Sequence, residues 1–438
     1  MTSVQSSADI TADILIVGAG PAGCAAAITL ASAGKDVLLI DQHDFPRDKT
    51  CGDGLIPDAM QALEALGLLD EVRHVATPVR GLACHGPKGG TLHIPGDLAV
   101  LPRKTLDNML LQKAKSAGAR VMTPVKYISP IRATQLEQSG LPKSSKNTSE
   151  SHARTIGAQA SWAGRSVTIH ARWTVLATGA VPSALQTTSH CLRALPSAMA
   201  LRAYVKNPNF TDEDGRSIDQ LHISWHKSYA PGYGWIFPCP DGIFNVGVGL
   251  YGMHEPGWKH RLSRLPGMEG LKPKKLNLSD LFKQFTATNA MAKRLVETGT
   301  LIGEIKGAPL RCSLQGAKPA APGLLITGEA MGSTYALTGE GIGKAMETGM
   351  LAAQALLSKE GDRDICTTYE QSLETIQHKF DIYQRANKIN RVPWLIDLAI
   401  ARGNKSPSLV RRMSLVLEEK ANPSRLFTLR GAWKFLTE

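Results

Sequence analysis

At 438 residues, 43% hydrophobic and 20% charged, the chain is long enough for one large or two fused domains with a sizeable core, and its balance is that of an ordinary soluble globular protein. No apolar run approaches the roughly 20 residues of a membrane span, and the seven cysteines are scattered with no C-x-x-C pair. That spacing argues against a zinc ribbon, an iron–sulfur ligand cluster and a disulfide scaffold, so no metal site is expected and the pattern fits a reducing cytoplasm. The first twelve residues are polar and carry no apolar signal region, from which secretion is not expected. The net charge is +12, and between Lys379 and the C-terminus twelve Lys or Arg face five Asp or Glu. Over half the excess therefore sits in the last sixty residues, either as a solvated helical face or as a surface for an anionic partner.

In chain order, "DILIVGAGPAGCAAAITLASAGKDVLLID" predicts strand, glycine turn, helix and second strand, a βαβ unit with a parallel sheet. "MQALEALGLLDEV" reads as a short amphipathic helix. "TLDNMLLQKAKSAGARV" reads as another, stopped by Gly118 and followed by a strand at Val121. Residues 135–155 are rich in Ser, Lys and Gln and are expected to form an exposed, mobile hairpin loop. "SVTIHARWTVLATG" predicts two short strands, the second returning to the first sheet. Residues 197–252 hold repeated β-like segments that predict a second, largely antiparallel layer. "GLLITGEAMG" is again strand then turn, "GEGIGKAMETGMLAAQAL" is a long helix, and basic helices follow. The expected architecture is α/β: a Rossmann-type doubly wound nucleotide domain (10–190 and 306–360), an inserted antiparallel β-rich substrate region (191–305) and a basic helical region (361–438).

Gly18-x-Gly20-x-x-Gly23, with Pro21 and Ala22 between, follows the first strand and opens the first helix. Gly18 permits the tight turn, Gly20 the approach of a pyrophosphate and Gly23 close helix–strand packing. Asp41 ends the second strand, eighteen residues past Gly23, where a carboxylate accepts from ribose hydroxyls. This pattern alone does not separate flavin from nicotinamide. Some three hundred residues later a second apolar strand ends in Gly328-Glu329, followed by Gly339, Gly341 and Ile342 at a helix start. A strand-end acid so far downstream suits the polyol chain of an extended FAD.

Taken together, "GAGPAG", "FPRDKTCGDGL", "PRKTLDNML" and "GEA…GEGI" resemble the FAD-dependent geranylgeranyl reductase family, within the flavoprotein group of aromatic hydroxylases and flavin halogenases. Its most specific match is Tyr233-x-Trp235-x-Phe237-Pro238 followed by Gly247-x-Gly249. The resemblance covers roughly residues 10–360. It implies that Gly18, Gly20, Gly23 and Asp41 hold the adenosine diphosphate half of FAD, that Arg47 lies by the cofactor and that Arg103 holds a phosphate or ribityl oxygen. Glu329 stands where an Asp is usual, and Gly339, Gly341 and Ile342 would face the isoalloxazine. Cys51 and Gly52 match the segment near the reactive ring face, although Cys51 reads equally as a buried structural thiol. Thr178 replaces the acid of an Asp-Gly pair that the hydroxylases use with NADPH, which lowers that reading.

Side chains at 233, 235 and 237 share one face of a strand. By periodicity this face is sheet core or an apolar wall; the resemblance implies the wall of the substrate cavity, with Pro238 included. The implied activity is reduction of carbon–carbon double bonds in an isoprenoid or similar apolar chain by hydride from reduced flavin. Cys51, Tyr233 and Trp235 are then the catalytic candidates, with Cys51, Tyr233 or an ordered water giving the proton. The electron donor would be NAD(P)H or reduced ferredoxin. The alternatives are a flavin monooxygenase or dehydrogenase of a secondary metabolite and a non-catalytic flavin-binding electron-transfer module. No nucleic-acid partner is expected. The basic tail, with "VPWLIDLAIA" and "LFTLRGAWKFL", is read either as solvated surface or as a peripheral contact at the inner face of the membrane.

Overall fold

The computed structural model describes residues 8–133, 153–251 and 277–421. The expected loop at 135–155 and the segment "LFTLRGAWKFL" lie almost wholly or wholly outside them. The first unit is as expected: β1 (Ala8–Val17), α1 (Pro21–Ser32) and β2 (Val37–Ile40), with Ile14 to Val17 paired parallel to Val37 to Ile40. Next come β3 (Gly54–Leu55), α2 (Pro57–Ala65) and α3 (Leu69–Val75). The single helix expected over 60–72 is thus broken in two. Gly67 takes φ +64 and Leu68 N–H turns back to the Leu63 carbonyl, a helix-terminating geometry that glycine allows.

There follow β4 (Thr77–His85), β5 (Thr91–Val100), α4 (Arg103–Ser116), β6 (Arg120–Met122), β7 (Val125–Arg132), β8 (Thr155–Trp162) and β9 (Arg165–Leu176). "SVTIHARWTVL" is one strand and not two, because β1 pairs with it without a break from Val167 to Leu176. The chain continues through α5 (Ser183–Gln186), β10 (Ala198–Lys206), β11 (Leu221–Ser224), β12 (Gly232–Cys239) and β13 (Ile243–Tyr251). After α6 (Leu278–Thr288) and α7 (Ala290–Thr298) come β14 (Thr300–Leu310), β15 (Ala320–Ala321), β16 (Leu324–Ile326) and α8 (Ile342–Ser358). The last helices are α9 (Asp362–Ala386), α10 (Pro393–Gly403) and α11 (Pro407–Leu417).

The first sheet runs β15-β16-β9-β1-β2-β6, parallel from β16 to β6, with β7 and β8 appended to β9 as an antiparallel pair. Its core lies between the buried strands and the small-residue helix α1, with α4, α8 and α9 contributing. The second sheet runs β14-β10-β13-β12-β11-β4-β5-β3. It is antiparallel except where β4 lies parallel to β11, Leu82 opposite Leu221. It therefore draws β3, β4 and β5 from inside the expected 10–190 nucleotide segment. β4 and β5 bury Val79, Ala83, Leu92, Ile94 and Leu98, and β11 supplies the edge that β4 joins. One face of the second sheet is covered by α6 and α7, which bury Phe282, Phe285 and Leu295 against Ile236, Val246 and Val248. Far along the sheet, α10 and α11 cover Leu92 and Ile94 on β5 with Ile396 and Ile400.

Candidate active site

The parallel strands β16, β9, β1, β2 and β6 end on the same side of the first sheet, and the two glycine segments meet there, where a Cβ on Gly328 would lie 2.6 Å from the Ala22 Cβ. Gly18 has φ +104, and a Cβ on it would run into the Ala177 carbonyl at the end of β9, so only glycine makes this turn. Gly20 caps α1 with Pro21 at its first position. A Cβ on Gly20 would sit 3.7 Å from Arg47 Nη2, so the guanidinium hangs over the turn. Ala22 and Gly23 lie in the first turn of the helix, both buried. Asp41 is buried at the end of β2; its Oδ2 accepts from Ala19 N–H at 2.8 Å and its Oδ1 from His43 N–H at 2.9 Å. The acid is thus tied to the glycine turn it was expected to serve.

Arg103 is the first residue of α4 and is buried. Its Nε and Nη2 donate to Asp107 at 2.6 and 2.8 Å, a bidentate pair. Arg47 Nη1 lies 3.1 Å from the same carboxylate. Asp107 had no role in the sequence reading, although its i+4 spacing from Arg103 was a usable signal. It gathers the fork of Arg103 and the Arg47 guanidinium on one buried carboxylate.

From the other side, the Gly328–Ala330 turn closes β16, and Glu329 Oε1 accepts from Thr334 Oγ1 at 3.3 Å. Gly339 has φ +74, and a Cβ on it would collide with the Tyr251 hydroxyl. Gly341 caps α8, where a Cβ would lie 2.6 Å from Thr334 Oγ1, and Ile342 begins the helix, buried. Around these turns two buried polar atoms, Thr178 Oγ1 and Ser333 Oγ, have no hydrogen-bond partner among the described residues. Buried polar atoms are nearly always paired. Orphans beside two helix N-termini and a cradle that no Cβ would leave open fit an extended, phosphate-bearing cofactor such as FAD.

The aromatic strip stands on β12. Tyr233 and Trp235 are buried and Phe237 is half-buried. Their rings lie edge to face at 6.3 Å and tilted at 6.4 Å. They pack with Tyr251, Trp225, Ile223, Ala198 and Leu310 in a small cluster separate from the main cores. Pro238 does not belong to this wall. Strand alternation puts it on the opposite face with Gly234 and Ile236, and there a Cβ on Gly234 would strike Phe285 of α6. The glycines of the motif have a steric reason: a Cβ on Gly247 would enter the Trp235 indole, and one on Gly249 would reach within 3.0 Å of the Tyr251 ring.

The turn after β2 closes on the strip. Gly52 is so near that a Cβ would be 3.2 Å from the Phe237 ring and 3.7 Å from Trp235 Nε1. Asn245, fully buried on β13, joins the two. Its Oδ1 accepts from Trp235 Nε1 at 2.9 Å, and its Nδ2 donates to the Cys51 carbonyl and to Asp53 Oδ2, both at 2.7 Å. Asp53 is also fully buried, at φ +65, and accepts from Tyr204 Oη at 2.5 Å and Arg103 N–H at 3.2 Å. Burial pushes its carboxyl up to about 6, against the Tyr204 and Asn245 hydrogen bonds. Burial likewise raises the Cys51 thiol, against the Arg103 charge, so the sulfur keeps its proton at neutral pH. Tyr233 donates its hydroxyl proton to the Thr338 carbonyl and lies 3.1 Å from the Tyr251 hydroxyl. Neither Asp53 nor Asn245 was singled out from sequence, although both sit inside the motifs.

Behind α8 lies a second group that the sequence reading missed. Lys344 is buried between Glu347 and Glu419, 2.8 Å from each, and 3.7 Å from Asp58. Glu419, beyond α11, also accepts from Lys379 and Tyr335, which fastens the C-terminal helices to α8 and α9. The apolar side of "VPWLIDLAIA" is used on β5 instead: Ile396 and Ile400 are buried against Leu92 and Ile94, while Trp394 stays 61% exposed. Among the described residues no helix is long and apolar enough to cross a membrane.

The FAD binding domain family model matches residues 11–181. Over 370 residues the chain is 30% identical to the menaquinone reductase of Mycobacterium tuberculosis strain H37Rv, covering 81% of this chain and 78% of that protein. It is 26% identical over 355 residues to digeranylgeranylglycerophospholipid reductase 2 of Methanopyrus kandleri, covering 78% and 76%. The crystal structure of a geranylgeranyl bacteriochlorophyll reductase-like protein from Thermoplasma acidophilum superposes with a TM-score of 0.73 at 19% identity, over 96% of this chain and 99% of that one.

Proposed function

The chain belongs to the FAD-dependent geranylgeranyl reductase family of flavin oxidoreductases, and from that premise we propose that it saturates carbon–carbon double bonds in the isoprenoid chain of a lipid. The observation that carries the proposal is the seating of Tyr233, Trp235 and Phe237 against the Cys51–Asp53 turn and the Gly339 loop. An isoprenoid alkene is unactivated and offers nothing to hydrogen-bond. A site for it must grip by apolar contact and keep water away from the reacting carbons.

When bound in its reduced form, FAD supplies the hydride. Gly18, Gly20 and Gly23 with the α1 N-terminus, Asp41 and Arg47 would hold its nucleotide half, and Glu329, Gly341 and Ile342 the flavin half. Trp235 and Phe237 shape the wall and exclude water. Cys51 is the favoured proton donor, because its thiol is held protonated, whereas the Tyr233 proton is engaged by the Thr338 carbonyl. The menaquinone and glycerophospholipid relatives favour an isoprenoid lipid as the substrate class. Peripheral contact with an anionic membrane would run through the exposed Trp394, Lys405, Arg411 and Arg412 of the C-terminal helices.

The test is anaerobic. The FAD-loaded protein is reduced with one equivalent of dithionite, and a geranylgeranyl lipid that carries no quinone ring is added. Return of oxidised-flavin absorbance, with product gaining one hydrogen pair per double bond by mass spectrometry, is the expected result. A product that gains oxygen, and only in air, would make the protein a monooxygenase. A protein that does not bind FAD would end both readings.

A further inference from the structure

Asn245 touches three things at once, and its two ends are not interchangeable. The Trp235 indole N–H can only donate, so it fixes Oδ1 on its own side. The Cys51 carbonyl and the Asp53 carboxylate can only accept, so Nδ2 spends both its protons on them. The side chain is completely buried, 194 residues from Cys51 in sequence, and it makes the only side-chain hydrogen bond to the Trp235 ring among those described. Asp53 then ties the same turn to Tyr204 of β10 and to the start of α4.

We propose that Asn245 is a positioning residue that locks the apolar wall and the thiol-bearing turn into one unit, so that the chain-binding face and Cys51 keep a fixed separation. This rests on the proposed reductase reading for its purpose, but not for its geometry. Without the lock, Trp235 can rotate off Gly247, and the Cys51 carbonyl loses its side-chain donor. The ionisable groups facing Asp53 are Tyr204 and Arg202 on β10, Arg103 on α4, Cys51 in its own turn and Cys239 at the end of β12.

Two variants of the FAD-loaded protein test this, each read by alkylation of Cys51 with iodoacetamide, mapped by mass spectrometry, and by turnover. In Asn245→Leu all three bonds go, and Cys51 alkylation should rise about tenfold while Cys366 on α9 reacts as before. In Asn245→Asp the shape is kept, but a carboxylate faces Asp53. Two carboxyls at hydrogen-bond distance share one proton. Wild-type protection of Cys51 should therefore be lost at pH 8 and largely regained near pH 5.5, where the shared proton restores a donor. A merely space-filling Asn245 would give no such pH recovery. Alkylation within twofold of wild type in Asn245→Asp at pH 8, or equal loss of protection at both pH values, overturns the proposal. Because alkylation needs no substrate, a failure of the reductase reading would appear only in turnover.

Discussion

Asn390 accepts the Trp225 indole N–H on its Oδ1 at 2.8 Å, while its Nδ2 donates to the Leu337 carbonyl at 3.1 Å. Trp225 belongs to the aromatic cluster beside Tyr233, and Leu337 to the loop that leads to Gly339. One fully buried side chain from the turn between α9 and α10 thus joins the C-terminal helices to both halves of the site. Asn390→Ala leaves an indole N–H and a carbonyl unpaired, which costs about 1–3 kcal/mol. The expected result is a lower melting temperature and faster proteolytic removal of the C-terminal helices. Both can be followed by scanning fluorimetry and limited trypsin digestion of the FAD-loaded protein.

Gly339 couples the second glycine loop to the tyrosine pair. Alanine there meets two penalties: a left-handed backbone at φ +74, worth about 1 kcal/mol, and a collision with the Tyr251 hydroxyl. Gly34 provides the control, since it has φ +77 and open space where a Cβ would point. Gly34→Ala should lose only the backbone term and keep full turnover. Gly339→Ala should lose at least tenfold in turnover, because Tyr251 and Tyr233 must shift. Equal turnover in the two variants would mean that the loop and the tyrosines are not mechanically linked.

The difference between what could be read from the sequence and what could not lies in the range of the interactions. The Gly18–Gly23 turn and Asp41 were readable because strand, turn and helix follow within about thirty residues and their spacing fixes the geometry. The shared face of Tyr233, Trp235 and Phe237 followed from alternation alone. Pro238 belongs to the motif but not to that wall, because alternation along the strand puts it on the other side. Asn245 and Asp53 were hidden for another reason: their partners lie on strands that meet only when β10, β13 and the turn after β2 come together. The entry of β4 and β5 into the second sheet depends on a parallel pairing with β11, across more than a hundred residues that carry no local signal.

Trp235→Ala should bind FAD normally and lose turnover of a long-chain substrate by tenfold or more in kcat/KM, equivalent to about 1.4 kcal/mol or more of lost transition-state binding. Removing a buried indole also costs about 3–5 kcal/mol of stability, so the comparison is made well below the melting temperature. Gly247→Ala should have the same kinetic effect from the other direction, since its methyl would displace the ring. FAD content by absorbance and turnover on a geranylgeranyl lipid check both. Unchanged turnover in Trp235→Ala would return the strip to the role of sheet core.

Asp58 is buried beneath α8, and no side chain among the described residues hydrogen-bonds its carboxylate; Gly343 leaves it just enough room, and Lys344 stands 3.7 Å away. Burial raises its pKa to about 7, opposed by Lys344 and reinforced by Glu419. The folded chain therefore holds this proton more tightly than the unfolded chain, where an aspartate releases it near about 4. The sign follows: the contribution to stability is fully present below about pH 4 and declines as pH rises to about 7, by at most about 1.4 kcal/mol per pH unit, after which it is flat. Asn is isosteric and has no such slope. Asp58→Asn should accordingly gain melting temperature relative to wild type between pH 4 and pH 7, and the gap should stop widening above that. A constant gap across this range would mean that Lys344 keeps Asp58 ionised throughout, and the pair would then be an ordinary buried salt bridge.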